Sequence, residues 1–210
     1  MRVKMCGMRS LAAARAARDA GADYIGFIFA RESRRYITPK DARSICAAVD
    51  VVKKVGVFVD TDPAEMNEIA AYCGLDYIQL HGHEPAETAR RVERPVIKAY
   101  RYGDDFDADT ANAYPAEIIL VDSYAPGAAG GTGAAFAWED AAREIARVTK
   151  LVLIAGGLTA ENARAAIEIF HPFGLDVSGG LEESGEKSIA KIAVFMAAVR
   201  AGASESRGHD

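Results

Sequence analysis

The sequence is poor in cysteine and lacks every pattern that would make its cysteines structural. Cys6, Cys46 and Cys73 are odd in number and widely separated. With no C-x-x-C pair, neither a disulfide framework nor a thiolate metal site is expected, and reduced thiols are. Long apolar runs are missing too. None approaches the roughly 18 residues that a membrane-spanning helix needs, so no membrane partner is expected. The opening Met1-Arg2-Val3-Lys4-Met5-Cys6 is too short and too interrupted for a secretory signal. The expected location is therefore the cytoplasm. Basic residues are not in excess either, and the net charge of −5 argues against nucleic acid as a partner while allowing a small anion in a local pocket. No linker composition interrupts the chain. What remains is 210 residues, 50% hydrophobic and 26% charged, which is the make-up of an ordinary globular protein with room for one large domain.

The most informative stretch is Ile118-Ile119-Leu120-Val121-Asp122-Ser123, followed by Gly130-Gly131-Thr132-Gly133. A short run of Ile, Leu and Val reads as a strand buried on both faces. It stops at a carboxylate and then at glycines, whose backbone N–H groups can approach an anion with no Cβ in the way. The same rhythm fills the chain. Strands are expected at 3–6, 24–29, 51–59, 75–80, 95–100, 118–122, 151–155 and 173–177. Helices are expected at 11–20, 39–49 and 63–73, then up to 92, a short one within 104–114, and at 138–148, 159–170 and 188–200. Ser10, Asp62 and Thr159 are the expected caps. Eight strand-then-helix units imply parallel pairing and right-handed crossovers. A single α/β domain, a (β/α)₈ barrel over residues 1–202, follows, with a polar tail at 203–210; a doubly wound open sheet of similar content is the alternative.

In such a barrel the site is built from the residues that follow each strand. Here they include Cys6, the arginine loop 31–36, His81, Asp122 and three glycine turns, Gly131-Thr132-Gly133, Gly156-Gly157 and Ser178-Gly179-Gly180. The turns follow strands six, seven and eight, where barrels frequently hold a phosphate, although each is also compatible with a plain tight turn. Period two puts Lys4 with Cys6 and Leu120 with Asp122, so thiol and carboxyl can both point inward as base and acid. A free thiol has a pKa of about 8.5 and would have to be shifted down, or partly ionised by the site, to act near neutrality. The plainer alternatives are an inert buried Cys6 and an Asp122 that is solvated or paired with Lys4. Cys46 and Cys73 fall in helical patterns and read as packing residues. His81 and His83 form a His-x-His, but no carboxylate or thiol stands at ligand spacing, so no metal is expected.

Most strand ends carry a short motif: Lys4-Met5-Cys6-Gly7-Met8-Arg9, Gly21-Ala22-Asp23-Tyr24-Ile25-Gly26-Phe27-Ile28-Phe29, Ser33-Arg34-Arg35-Tyr36, Val55-Gly56-Val57-Phe58 and Gln79-Leu80-His81-Gly82. Leu120-Val121-Asp122-Ser123 with its glycine loop, Ala155-Gly156-Gly157-Leu158 and Asp176-Val177-Ser178 complete the set. Together, in this order along the chain, they resemble the phosphoribosylanthranilate isomerase family. The resemblance implies a cofactor-free Amadori rearrangement in tryptophan biosynthesis, from N-(5-phosphoribosyl)anthranilate to 1-(2-carboxyphenylamino)-1-deoxyribulose 5-phosphate. It implies Asp122 as general acid and Cys6 as general base. Arg35 would be the partner of the anthranilate carboxylate, His81 would line the mouth, and the glycine turns would take the phosphate. The implied partner is thus a small phosphosugar, for a chain that is a monomer or a homodimer. Two departures stand out. Ser178-Gly179-Gly180 replaces the usual Ser-Ser-Gly or Asn-Ser-Gly, and Arg34 stands where proline is common. A related barrel enzyme of histidine or indole-glycerol-phosphate synthesis, or a phosphosugar-binding barrel without chemistry, are the competing readings.

Overall fold

The segment between Arg2 and Cys6 alternates its side chains between the two sides of a sheet. Its inward residues, Lys4 and Cys6, belong to a ring of parallel strands that closes on itself. A computed structural model describes residues 1–103, 106–122 and 132–205. Its strands are β1 (Arg2–Cys6), β2 (Tyr24–Ile28), β3 (Lys53–Phe58), β4 (Tyr77–Leu80), β5 (Val96–Arg101), β6 (Ile118–Asp122), β7 (Leu151–Ala155) and β8 (Gly174–Val177). Each pairs in parallel with its successor and β8 pairs with β1, giving a closed eight-stranded barrel. The helices are α1 (Leu11–Ala20), α2 (Pro39–Ala47), α3 (Pro63–Cys73), α4 (Ala86–Arg91), α5 (Ala108–Ala113), α6 (Thr132–Ile145), α7 (Ala163–Phe170) and α8 (Ile189–Glu205).

Local chemistry explains most of the boundaries. Ser10, Thr38 and Asp62 accept from the backbone N–H groups of Ala13, Asp41 and Ala64, which satisfies one otherwise orphaned donor in the first turn of each of α1, α2 and α3. Two apolar layers result. Val55, Ile97, Ala99, Ile118, Leu120, Leu153 and Ala155 fill the barrel with Tyr24, and a larger cluster lies between the strands and the helices.

The structure corrects several sequence boundaries. Val51 has φ 67° and is 94% exposed, so β3 begins two residues later, at Lys53. Thr159 is not the cap of α7. Asn162 holds that position, and its Oδ1 accepts from Thr159 N at 2.8 Å across the preceding turn. Helix α6 begins at Thr132 rather than 138, because the alanines that follow sustain a helix despite Gly133. Before α8 the chain makes a 3₁₀ turn, Gly179–Leu181, and a small hairpin of β9 (Glu182–Glu183) and β10 (Glu186–Lys187). Its two-residue loop, Ser184-Gly185, has positive φ at both positions, 50° and 83°, matching the twist of paired strands. Helix α8 runs through Glu205, into the expected tail.

Candidate active site

At the carboxyl ends of the strands a cavity of about 1000 Å³ opens, and most of the residues singled out above line it. Cys6 reaches it from β1, Arg35 from the loop after β2, His81 from beyond β4 and Asp122 from the end of β6. Gly156 and Gly157 follow β7, and Ser178, Gly179 and Gly180 follow β8. Gly131 lies outside the described residues. Thr132 and Gly133, expected in an anion-binding loop, open helix α6. Cys6 and Asp122 are separated by β7 and β8 round one side of the barrel and by β2 to β5 round the other, so they stand on different sectors of the mouth.

The seat of Cys6 is made by Gly26 on the neighbouring strand, where a Cβ would lie 2.8 Å from Cys6 Sγ. The Ser178 hydroxyl donates to the Cys6 carbonyl oxygen at 3.1 Å, tying the end of β8 to the end of β1. Burial pushes the Cys6 thiol above its ordinary pKa; Lys4 opposes that shift and Asp176 adds to it. Loss of water thus outweighs the nearby ammonium, and a thiol acting as base needs that countercharge for its ionised form. Lys4 is fully buried and its Nζ donates to Asp176 Oδ1 at 2.8 Å, so its ion-pair partner is Asp176 on the adjacent strand. Burial works against the charge on Lys4, but Asp176 and Cys6 more than compensate and leave its pKa raised.

His81 stays open to solvent through the mouth, with Nδ1 2.8 Å from Gln79 Nε2. The surrounding protein displaces enough water, with Lys4 acting in the same direction, to lower its pKa. The neutral imidazole is therefore the resting form at neutrality. His83 is exposed, and its backbone N–H donates to Asp60 Oδ1 at 2.8 Å. Among the described residues no group of three or more His, Cys, Asp or Glu side chains is arranged to hold a metal ion. Nor is any described helix long and apolar enough to cross a membrane.

Arg35 is held by Glu182. Its Nε donates to Oε1 and its Nη2 to Oε2 at 3.1 Å, while Arg34 Nη2 reaches the same Oε2 at 2.7 Å. Lys187 of β10 completes the cluster, with Nζ 2.8 Å from Glu182 Oε1 and 3.0 Å from the Ser178 carbonyl oxygen. Burial opposes ionisation of Glu182, yet Arg35 and Lys187 together hold its pKa at about 2. The part that Lys187 plays here was not anticipated from the sequence. The signal was there in Ser184-Gly185, a turn dipeptide that folds Lys187 back over the strand ends. Gly180 packs directly on the loop after β7: a Cβ there would fall 2.0 Å from the Leu158 carbonyl oxygen. The glycine turns after β7 and β8 thus form one continuous wall, which a side chain at 180 would force apart.

This arrangement has close relatives. The family model described as N-(5'phosphoribosyl)anthranilate (PRA) isomerase matches residues 3–198. An N-(5'-phosphoribosyl)anthranilate isomerase of Geobacter sulfurreducens is 44% identical over 198 residues, 93% of this chain and 97% of the relative. The crystal structure of phosphoribosyl anthranilate isomerase from Thermotoga maritima superimposes with a TM-score of 0.86 at 37% identity, covering 96% of this chain and 99% of its own. Another crystal structure of phosphoribosyl anthranilate isomerase, in complex with reduced 1-(o-carboxyphenylamino)-1-deoxyribulose 5-phosphate, gives 0.83 at 35% identity with the same coverage. The chain belongs to the N-(5'-phosphoribosyl)anthranilate isomerase family, aldose-ketose isomerases of tryptophan biosynthesis.

Proposed function

We propose that the cavity runs the Amadori rearrangement of N-(5'-phosphoribosyl)anthranilate with Asp122 as general acid and Cys6 as general base. The observation that carries this reading is that a carboxyl and a thiol from different sectors of the barrel line one cavity, together with an arginine and two glycine turns. The Asp122 carboxyl gives its proton to the furanose ring oxygen, and the C1′–O bond breaks as the anthranilate nitrogen forms a Schiff base. The Cys6 thiolate then takes the C2′ proton, and the electron pair neutralises the nitrogen as an enolamine. Tautomerisation returns a proton to C1′ and leaves the ketone at C2′. No electrons leave the substrate, since C1′ is reduced as C2′ is oxidised.

Both ends of the substrate need a grip for this proton traffic to be efficient. Backbone N–H groups of the turns Gly156-Gly157 and Gly179-Gly180 take the phosphate. The loss of a second serine after β8 leaves that task to the backbone. The Ser178 hydroxyl is committed to the Cys6 carbonyl. With its Nε and Nη2 held by Glu182, Arg35 meets the anthranilate carboxylate with the remaining edge of its planar guanidinium, a geometry a lysine could not match. The partner is accordingly a small dianionic sugar phosphate carrying an aromatic acid.

The test is a fluorescence assay of phosphoribosylanthranilate consumption with Cys6→Ser and Asp122→Asn. Removing either proton-transfer group lowers kcat by about 10²–10⁴-fold, the usual contribution of a positioned acid or base. Wild-type turnover in both variants would sink the assignment.

A further inference from the structure

Cys6 must lose a proton to serve as a base, yet it sits where water is scarce and ionisation is disfavoured. Two residues back on the same inward face of β1 lies Lys4, with no exposed surface at all. Buried lysines are rare unless paired, and Asp176 of β8 supplies the partner at 2.8 Å. An ion pair alone would be structural, but two further observations link this one to the sulfur. A Cβ on Gly26 would lie 2.8 Å from Cys6 Sγ and 3.3 Å from Lys4 Nζ, so both atoms share the space over one glycine and interact with each other. Asp176 lines the cavity beside Cys6, so the carboxylate that holds the fully buried Lys4 belongs to the site itself.

We propose that Lys4 is a positioning residue for Cys6, its ammonium held by Asp176 beside the sulfur so that the thiolate has a countercharge when it forms. The inference rests on the reading of Cys6 as the base. The thiol proton leaves to water through the cavity mouth, after which one ammonium faces two anions. Other charged or titratable groups turn toward this space: Lys187 from the hairpin, His81 from beyond β4, Asp122 from β6 and Arg35 from the loop after β2. Lys187 is tied to Glu182 and Ser178 and acts on the thiol less than Lys4 does, which faces the sulfur from its own strand.

The experiment is alkylation of Cys6 by iodoacetamide in the full-length chain, followed across pH by mass spectrometry of the peptide that carries it. Lys4→Met moves the midpoint up by about one pH unit or more, so that alkylation near neutrality slows about tenfold, and the acid limb of kcat/KM moves with it. Asp176→Asn, which removes the competing anion, moves the midpoint down. A merely structural role would shift both variants in the same direction. Where unpaired Asp176 unsettles Lys4→Met, the double variant Lys4→Met/Asp176→Asn removes both charges and still titrates above wild type. An unmoved midpoint in the single and the double variant overturns the inference. Cys6→Ser separates the two claims: full turnover there sinks the base assignment whatever Lys4 does, whereas an inactive Cys6→Ser beside an unmoved midpoint sinks Lys4 alone.

Discussion

Gly26 decides how near sulfur and ammonium come to each other, because the strand beside Cys6 carries no side chain at that register. A methyl group there would meet Cys6 Sγ at 2.8 Å and the Cys6 Cα at 3.2 Å, and a backbone atom cannot swing aside as a side chain can. Gly26→Ala therefore displaces the thiol. Overpacking of this kind costs about 1–3 kcal/mol of stability, and an error of about 1 Å at a reacting group costs up to about 10²-fold in rate. The expected outcome is a folded protein, by circular dichroism, whose kcat has fallen at least about tenfold. Wild-type kcat in that variant would show that the close fit at Gly26 has no bearing on the chemistry. That Cys6 and Asp122 would line the strand-end cavity was legible in the sequence, because Cys6 closes a short alternating run before Gly7 and Asp122 closes an apolar one. The Lys4–Asp176 pair was not, since its partners lie 172 positions apart and meet only through the register of β1 on β8.

The β9–β10 hairpin carries Glu182 and Lys187, and the loop after β2 carries Arg34 and Arg35; the Glu182 carboxylate clasps them together. Arg35 is oriented by this contact before any ligand arrives, so Glu182→Gln weakens substrate binding more than it slows the chemical step. KM is expected to rise at least about fivefold with kcat held within about twofold, the pattern of lost uniform binding. A fall in kcat with KM unchanged would contradict this. The same clasp sets an acid limit. The Glu182 pKa is held at about 2, below its ordinary 4.5. A carboxyl depressed on folding contributes stability that is whole above the unfolded pKa and is lost as pH falls through the folded one. The difference in Tm between wild type and Glu182→Gln is thus full at pH 6 and closes between about pH 4.5 and pH 2. A constant difference across that window would rule out the carboxylate as its source. This hairpin also marks where sequence reading fell short. Eight units were countable from apolar runs and breaks, but a two-residue ladder has too few residues for a period to register. The starts of β3 and α6 slipped for related reasons, since an exposed valine mimics a strand residue and Thr132-Gly133 mimics a loop.

Closing the barrel brings the first and last strands together, so the floor of the cavity is shared by segments from both ends of the chain. Cys6 comes from β1, the arginine loop from β2, Asp122 from β6 and the glycine turns from β7 and β8, and none of these carries a site by itself. A ligand that bridges them binds only the assembled barrel, so its binding energy adds to the stability of the whole. At about one hundred times its Kd such a ligand contributes about 2.7 kcal/mol. For a domain of this size each kcal/mol raises Tm by about 2–4 °C, so the reduced ketose product analogue should raise it by about 5–11 °C. Cys6→Ser, which removes the proposed base but not the proposed grip on phosphate and carboxylate, should show nearly the same rise. Gly180→Ala should show less, because a side chain 2.0 Å from the Leu158 carbonyl oxygen parts the two turns proposed to take the phosphate. Thermal unfolding with the analogue, beside ribose at equal concentration as the uncharged control, measures all three. A rise no larger than that given by ribose would mean that the mouth of the barrel does not bind phosphate and carboxylate as one site.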